Sequence, residues 1–196
     1  MKSLCVVVTG PVGVGKSTFV QTFSETNVVD TERLATDETS LLKKRTTVAF
    51  DLGTRILDQN MTLYLYGTPG QLRFDFMWDM LIRKADAYIL LVPTNRSCEL
   101  QYTREILSFM NQRVQIPMII GMSCTDRVGI CEQENIMLTL GFTRSHNRPP
   151  IVTVNPKERN SVVEALMVLM AHIIMERGST QKPRLPEPSI ARDRLR

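Results

Sequence analysis

The stretch Gly10-Pro11-Val12-Gly13-Val14-Gly15-Lys16-Ser17 constrains this chain more than any other feature. It matches G-x-x-x-x-G-K-[ST] in the context that gives the pattern meaning. An apolar run, Leu4 to Thr9, precedes it, and a segment able to continue as helix, Thr18 to Phe23, follows. Glycine lets the backbone curl without side-chain clashes, so the amides of Gly13 through Ser17 can face inward and cradle a phosphate chain. The helix N-terminus adds its partial positive charge at the same spot. Lys16 is placed to reach the β- and γ-phosphates, and the Ser17 hydroxyl to ligate Mg²⁺. Val12, Gly13, Val14, Gly15, Lys16, Ser17 and Thr18 are therefore expected to line a nucleotide phosphate site.

A chain of 196 residues, 43% of them apolar, is expected to form one domain with a real core. No apolar run approaches the ~20 residues of a membrane span. Met1-Lys2-Ser3 leads straight into the first expected strand, which leaves no room for a signal peptide. Cys5, Cys98, Cys124 and Cys131 form no C-x-x-C pair and stand apart from His146 and His172. They read as reduced, mostly buried thiols of a cytoplasmic protein rather than a zinc site or disulfide frame. The net charge of +4 is concentrated in the tail 179–196, where Lys182, Arg184, Arg192, Arg194 and Arg196 face only Glu187 and Asp193. The body is near neutral and has no basic stripe with interleaved aromatics, which argues against nucleic-acid binding.

Apolar runs of strand length alternate with longer helical patterns, the signature of a parallel α/β sheet. Residues 25–45 are polar and threonine-rich, and so long a non-periodic segment is usually functional. Strands are expected at 46–52 and 61–66 as an antiparallel hairpin, then at 87–92, 118–122 and 151–154. Helices are expected at 72–84, 99–112, 130–140 and 161–177, the last capped by Ser161 and ended by Gly178. Phe76, Trp78, Met80, Leu81 and Ile82 read as core, with a partner-binding surface as the sharper alternative. The fold class implied is a three-layer P-loop domain over 1–178: a mostly parallel six-stranded sheet, one strand antiparallel, helices on both faces. The proline- and arginine-rich tail 179–196 is expected to be disordered.

With the motifs TTVAFDLG and LYGTPGQLRF in place after their strands, the chain resembles the Ras-like small GTPases over about residues 3–177. It is most similar to a bacterial branch, the gliding-motility (Mgl-type) polarity GTPases and those accompanied by roadblock-type partners. The resemblance implies a GTP/GDP switch with Mg²⁺ as cofactor. Lys16 and Ser17 match the phosphate-loop lysine and the metal-ligating hydroxyl. Thr47, with Thr46 as the alternative, falls where the family's first switch threonine binds Mg²⁺ and the γ-phosphate. Gly70 falls where an amide senses the γ-phosphate, and Gln71 where a glutamine orients the attacking water. Ser123-Cys124-Thr125-Asp126 stands where the family has N-K-x-D, so Asp126 is retained for guanine while Ser123 replaces asparagine. Asn155-Pro156-Lys157 aligns with the loop facing the base, and GTP is expected over ATP.

Two departures bear on rate. Gly67 stands where the family usually has a carboxylate supporting the metal; Asp51 is a substitute, although a surface strand carboxylate is the plainer reading. Val12 would crowd the space of Gln71, implying slow intrinsic hydrolysis; Val12, Gly67 and the altered base motif also favour the alternative, a nucleotide-binding interaction module that barely hydrolyses. Arg45 and Arg73 are both open as the source of an arginine finger. A roadblock-type regulator or effector is the implied partner. The terminus carries no C-a-a-X cysteine, so no prenyl anchor is expected.

Overall fold

The computed structural model describes residues 2–25, 32–34, 45–47, 50–94, 96–123, 129–143 and 148–179. The elements in chain order are β1 (Lys2–Thr9), α1 (Lys16–Phe23), β2 (Glu32–Leu34), β3 (Arg45–Thr47), β4 (Asp51–Asp58), β5 (Met61–Gly67), α2 (Asp75–Ile82), β6 (Ala87–Pro93), α3 (Leu100–Asn111), β7 (Met118–Ser123), α4 (Ile130–Leu140), β8 (Ile151–Val154) and α5 (Arg159–Ser179). Single 3₁₀ turns at Leu72–Phe74 and Ser97–Glu99 lead into α2 and α3.

Six strands form one sheet in the order β4-β5-β1-β6-β7-β8. Only β4 runs antiparallel, hydrogen-bonded to β5; every other pairing is parallel. All seven residues of β6 are buried, as a central strand covered on both faces requires. One face packs Leu4, Val6, Val8, Ile89 and Leu91 under Phe19 and Val20 of α1 and Leu166, Leu169 and Ile173 of α5. The other packs Val7, Leu90, Val92 and Ile120 under Trp78, Leu81 and Ile82 of α2, Ile106 and Met110 of α3, and Met137 of α4. The three-layer architecture expected from the sequence is therefore the observed one. Its parallel strands deliver their carboxyl ends to one edge, where ligand sites of such sheets form.

Several local expectations change. The hairpin strand is 51–58, not 46–52, with Asp51 opposite Gly67 and Arg55 opposite Leu63. Residues 45–47 belong instead to a separate two-stranded ribbon with 32–34. Glycine at 53 eases the passage of β4 under α1: a Cβ there would lie 2.8 Å from Val20 Cγ1, so the valine would have to shift. The last helix starts at Arg159, and Ser161 is inside it; the Ser161 hydroxyl accepts from the Asn155 N–H at 2.9 Å, so it braces a loop rather than capping the helix. Gly178 does not end that helix, which continues through Ser179. The aromatic cluster of α2 divides: Trp78 is 1% exposed, whereas Phe76 is 66% exposed and Leu72 and Met80 are exposed beside it. Among the thiols, Cys98 is exposed and Cys5 half-buried. The expected tail lies, from 180 onward, outside the described residues.

Candidate functional site: a phosphate loop flanked by two straps

The phosphate loop joins β1 to α1. Gly13 and Gly15 have φ of 74° and 103°, left-handed values that turn the chain back into the first helical residue, Lys16. At Gly15 the absence of a side chain is doubly required, because a Cβ would lie 2.6 Å from Pro156 Cγ. Lys16 is buried, and its ammonium donates to the carbonyls of Gly10 at 2.9 Å and Pro11 at 2.7 Å. Ser17 follows, 8% exposed. Val12 and Val14 are buried on the loop and Thr18 is half-buried.

On one side, residues 68–71 form a strap leaving β5. The Thr68 N–H donates to the Val8 carbonyl at 3.0 Å, and its hydroxyl to Thr9 Oγ1 at 3.0 Å. The Trp78 indole N–H donates to the Pro69 carbonyl at 2.7 Å, and the Tyr102 hydroxyl to the Gly70 carbonyl at 2.9 Å. Burial, with Glu105 nearby, pushes the Tyr102 phenol up to about 12, so it stays a donor at neutral pH. These bonds lay Gly70 on the phosphate loop: a Cβ there would sit 2.8 Å from Val12 N and Cα and 2.9 Å from Lys16 Nζ. Gln71 follows, also buried. The structure thus brings Val12, Lys16 and Gly70 together, and Gln71 lies next in the chain.

On the other side, the loop after β8 carries Asn155, Pro156 and Lys157. The Thr22 hydroxyl of α1 donates to the Pro156 carbonyl at 2.7 Å. Asn155 Nδ2 donates to Glu158 at 2.9 Å, and Asn155 Oδ1 accepts from the Lys157 N–H at 3.2 Å. Ser123, at the end of β7, donates its hydroxyl to the Val14 carbonyl at 2.7 Å. The serine therefore ties the end of β7 to the phosphate loop. Asp126 lies outside the described residues, as do residues 26–31 and 35–44 of the polar segment 25–45. Thr47 ends β3 opposite Glu32, and its side chain is also outside the described residues.

Asp51 is not a surface carboxylate. It is fully buried at the sheet's carboxyl edge, and its Oδ2 lies 3.1 Å from where a Cβ on Gly67 would be. The carboxylate of one strand occupies the room left by the glycine of its neighbour. Sequence reasoning missed a further pair, Arg96 and Glu99: Arg96 Nη1 donates both to Glu99 Oε1 and to the Val12 carbonyl. The available signal was their i,i+3 spacing just after β6, on the same edge as the other motifs. Of the two arginines singled out from sequence, Arg73 lies 5.0 Å over the Phe74 ring, and the Arg45 side chain is outside the described residues.

The sheet order, the glycine loop with its buried lysine and the glycine strap above it define a P-loop nucleotide-binding fold. The chain belongs to the family described as "conserved hypothetical ATP binding protein", whose match covers residues 26–175, beginning after the phosphate loop. Among solved structures, the chain is similar to a bacterial selenocysteine-specific elongation factor, EF-Sec, with a TM-score of 0.65 and 19% identity. That match covers 90% of this chain and 29% of the elongation factor, so it shows a shared fold and nothing about the larger protein's task. No curated protein matches the sequence.

Proposed function

We propose that this chain is a small GTP-binding switch that hydrolyses GTP slowly with Mg²⁺ and signals through residues 25–47, the β4–β5 hairpin and 67–84. The observation that carries this reading is the meeting of Gly70 with Val12 and Lys16. A strap that rests on the phosphate loop has to respond to whether a terminal phosphate is there.

The residues fit a metal-bound nucleotide. Among the described residues no three His, Cys, Asp or Glu side chains form a metal cluster. Mg²⁺ in nucleotide sites takes most of its oxygens from phosphates and water, with one or two protein ligands, and the donors here suit that division. Ser17 and Thr47 would hold the ion, and Asp51 would support its water shell in place of a carboxylate at 67. Bound there, it would neutralise charge developing on the transferring phosphoryl group. Lys16 binds the β- and γ-phosphates, the Gly70 amide reads the γ-phosphate, and Gln71 orients the water that attacks it. With the strap at Gly70 lying against the Val12 backbone, a branched side chain at 12 would crowd Gln71, which supports slow turnover. At the base, Ser123 with Asn155, Pro156 and Lys157 shapes one wall, and Asp126 supplies the guanine-reading carboxylate. A roadblock-type protein in the cytoplasm is the partner that the resemblance suggests.

The family's description favours a second reading, ATP as the nucleotide. Nucleotide-free protein titrated with Mg²⁺ and fluorescent GDP, GTP and ATP, then followed for phosphate release, separates the two. Preference for guanine with slow release is expected. Equal or tighter ATP binding overturns the base assignment. A Gln71→Ala variant with unchanged turnover, alone and with the partner, overturns the role of Gln71.

A further inference from the structure

Arg96 and Glu99 lie against the phosphate loop on its carbonyl side. Arg96 Nη1 donates to the Val12 carbonyl at 3.1 Å and to Glu99 Oε1 at 2.8 Å. A local turn fixes this spacing: the Glu99 N–H donates to the Arg96 carbonyl at 3.0 Å, and the Thr103 hydroxyl to the Glu99 carbonyl at 2.8 Å. Neither side chain is a solvated surface charge, with 24% and 14% exposed. Glu99 Oε2 is buried and meets no hydrogen-bond donor among the described residues. Burial pushes the Glu99 carboxyl above its ordinary range, against the pull of Arg96 and Lys16. A carboxylate left half-satisfied out of water costs stability. The pair is better explained by what it does to its neighbour.

That neighbour is one peptide group. The Val12–Gly13 bond is trans, as no cis bond occurs among the described residues, so the Val12 C=O and the Gly13 N–H point in opposite directions. A guanidinium on the carbonyl polarises the whole group and strengthens its N–H as a donor. In the phosphate-site reading, the Gly13 N–H is one of the amides that would face the phosphates. We propose that Arg96 and Glu99 are a positioning pair that sets how tightly the loop holds a nucleoside triphosphate: Arg96 polarises the Val12–Gly13 peptide toward the phosphates, while Glu99 orients Arg96 and moderates its positive field. This inference rests on the phosphate-site reading above and is independent of which base is bound.

The two members act with opposite sign on phosphate affinity, which a mere structural brace does not. The test is equilibrium titration of the parent chain and three variants with fluorescent GTP and ATP at fixed Mg²⁺ and salt. Arg96→Ala should weaken the preferred triphosphate by about tenfold, and Arg96→Lys by less. Glu99→Gln keeps shape and an acceptor oxygen but removes the negative charge; it should tighten binding by about threefold. Arg96→Ala within twofold of the parent overturns the proposal. So does Glu99→Gln weakening binding in step with the arginine variants, the pattern of a brace. Should Arg96→Ala fail to fold, the opposite signs of Arg96→Lys and Glu99→Gln still decide. A parent that prefers ATP, or releases no phosphate, sinks the GTPase reading while leaving the variant ratios to judge the pair. A parent that binds neither nucleotide overturns both.

Discussion

The two straps flanking the phosphate loop approach it equally closely and are held in different ways. The 155–158 loop meets Gly15 through Pro156, and the 68–71 strap meets Val12 and Lys16 through Gly70. The first is tied to α1 by Thr22 and to α5 by Ser161, helices packed on the same sheet face as the core around Phe19 and Leu166. The second is tied by Trp78 and Tyr102 to α2 and α3, on the opposite face. Outside that second strap, Leu72, Phe76 and Met80 stand exposed along one side of α2 and the turn before it. Under the proposed function the 155–158 loop would be preformed, because the base is present in both nucleotide states. By the same reading, a strap that reads a terminal phosphate would need two positions, and its exposed outer face would be open to a partner.

The largest change should come from the element both straps share. Lys16→Ala removes charge-assisted bonds to the phosphates, each about 1.5–3 kcal/mol, and should cost roughly a hundredfold or more in triphosphate affinity. A loss under about tenfold in a fluorescence titration would mean that Lys16 does not reach the phosphates. Next, Gly70→Ala tests the division of labour itself. Its Cβ would collide with Val12 backbone, which cannot yield as a flexible side chain can. Diphosphate affinity should stay within about threefold while turnover falls about ten- to a hundredfold. Equal weakening of diphosphate and triphosphate would erase the proposed difference between the two sides.

The phosphate side makes a further demand. Asp51 fills the room beside Gly67, so the supporting carboxylate should be exchangeable between the strands. Asp51→Ala should raise the Mg²⁺ concentration for half-maximal turnover by about tenfold, the usual scale for losing an outer-sphere ligand. Adding Gly67→Asp to that variant should restore much of the requirement. Restoration failing in a folded double variant, checked by nucleotide binding without Mg²⁺, would reduce Asp51 to a buried structural acid.

The sequence made the repeating parts legible and the non-local ones obscure. Leu4 to Thr9 and Ala87 to Val92 are apolar enough to read as buried parallel strands, and the glycine loop between strand and helix read correctly as well. The β4 boundaries did not: its second half carries Arg55 and the exposed Ile56 and Leu57, so no alternation marks it, while pairing with β5 defines it. Trp78 and Phe76 are two residues apart on one helix and have opposite fates, because the indole finds the Pro69 carbonyl and a T-shaped contact with Phe109, 5.3 Å between centroids. Asp51 looked like an edge-strand charge until its neighbour's missing side chain was in view. Ser161 looked like a helix cap because the residue it serves, Asn155, comes six positions earlier and across a turn. Arg96 and Glu99 carried no motif; only the fold brings them to Val12.

The smallest expected effect concerns acid, and it also separates the two sides. Asp79 on α2 accepts from Arg83 at 2.8 Å and from Arg113, in the turn after α3, at 2.7 Å, while the Arg113 guanidinium lies 3.3 Å over the Phe109 ring. The bond from Arg83 chiefly, with help from Arg113, holds the Asp79 carboxyl below its ordinary value of 3.8. A depressed folded value means that the ionised form is favoured in the native state. Its contribution is present above pH 3.8 and is lost as pH falls through the lower folded value. The Thr22 and Ser161 bonds that tie the 155–158 loop to α1 and α5 are neutral; its bond to a carboxylate, Asn155 to Glu158, lies within the loop itself. Below about pH 4, therefore, the α2–α3 side should loosen before the base side, seen as earlier hydrogen exchange at residues 75–82 than at 155–162. The urea midpoint of Asp79→Asn should lie slightly below that of the parent at pH 7, and the gap should close on acidification. A gap that stays constant with pH would assign the difference to packing rather than to the ion pairs, and would leave the two straps equally resistant to acid.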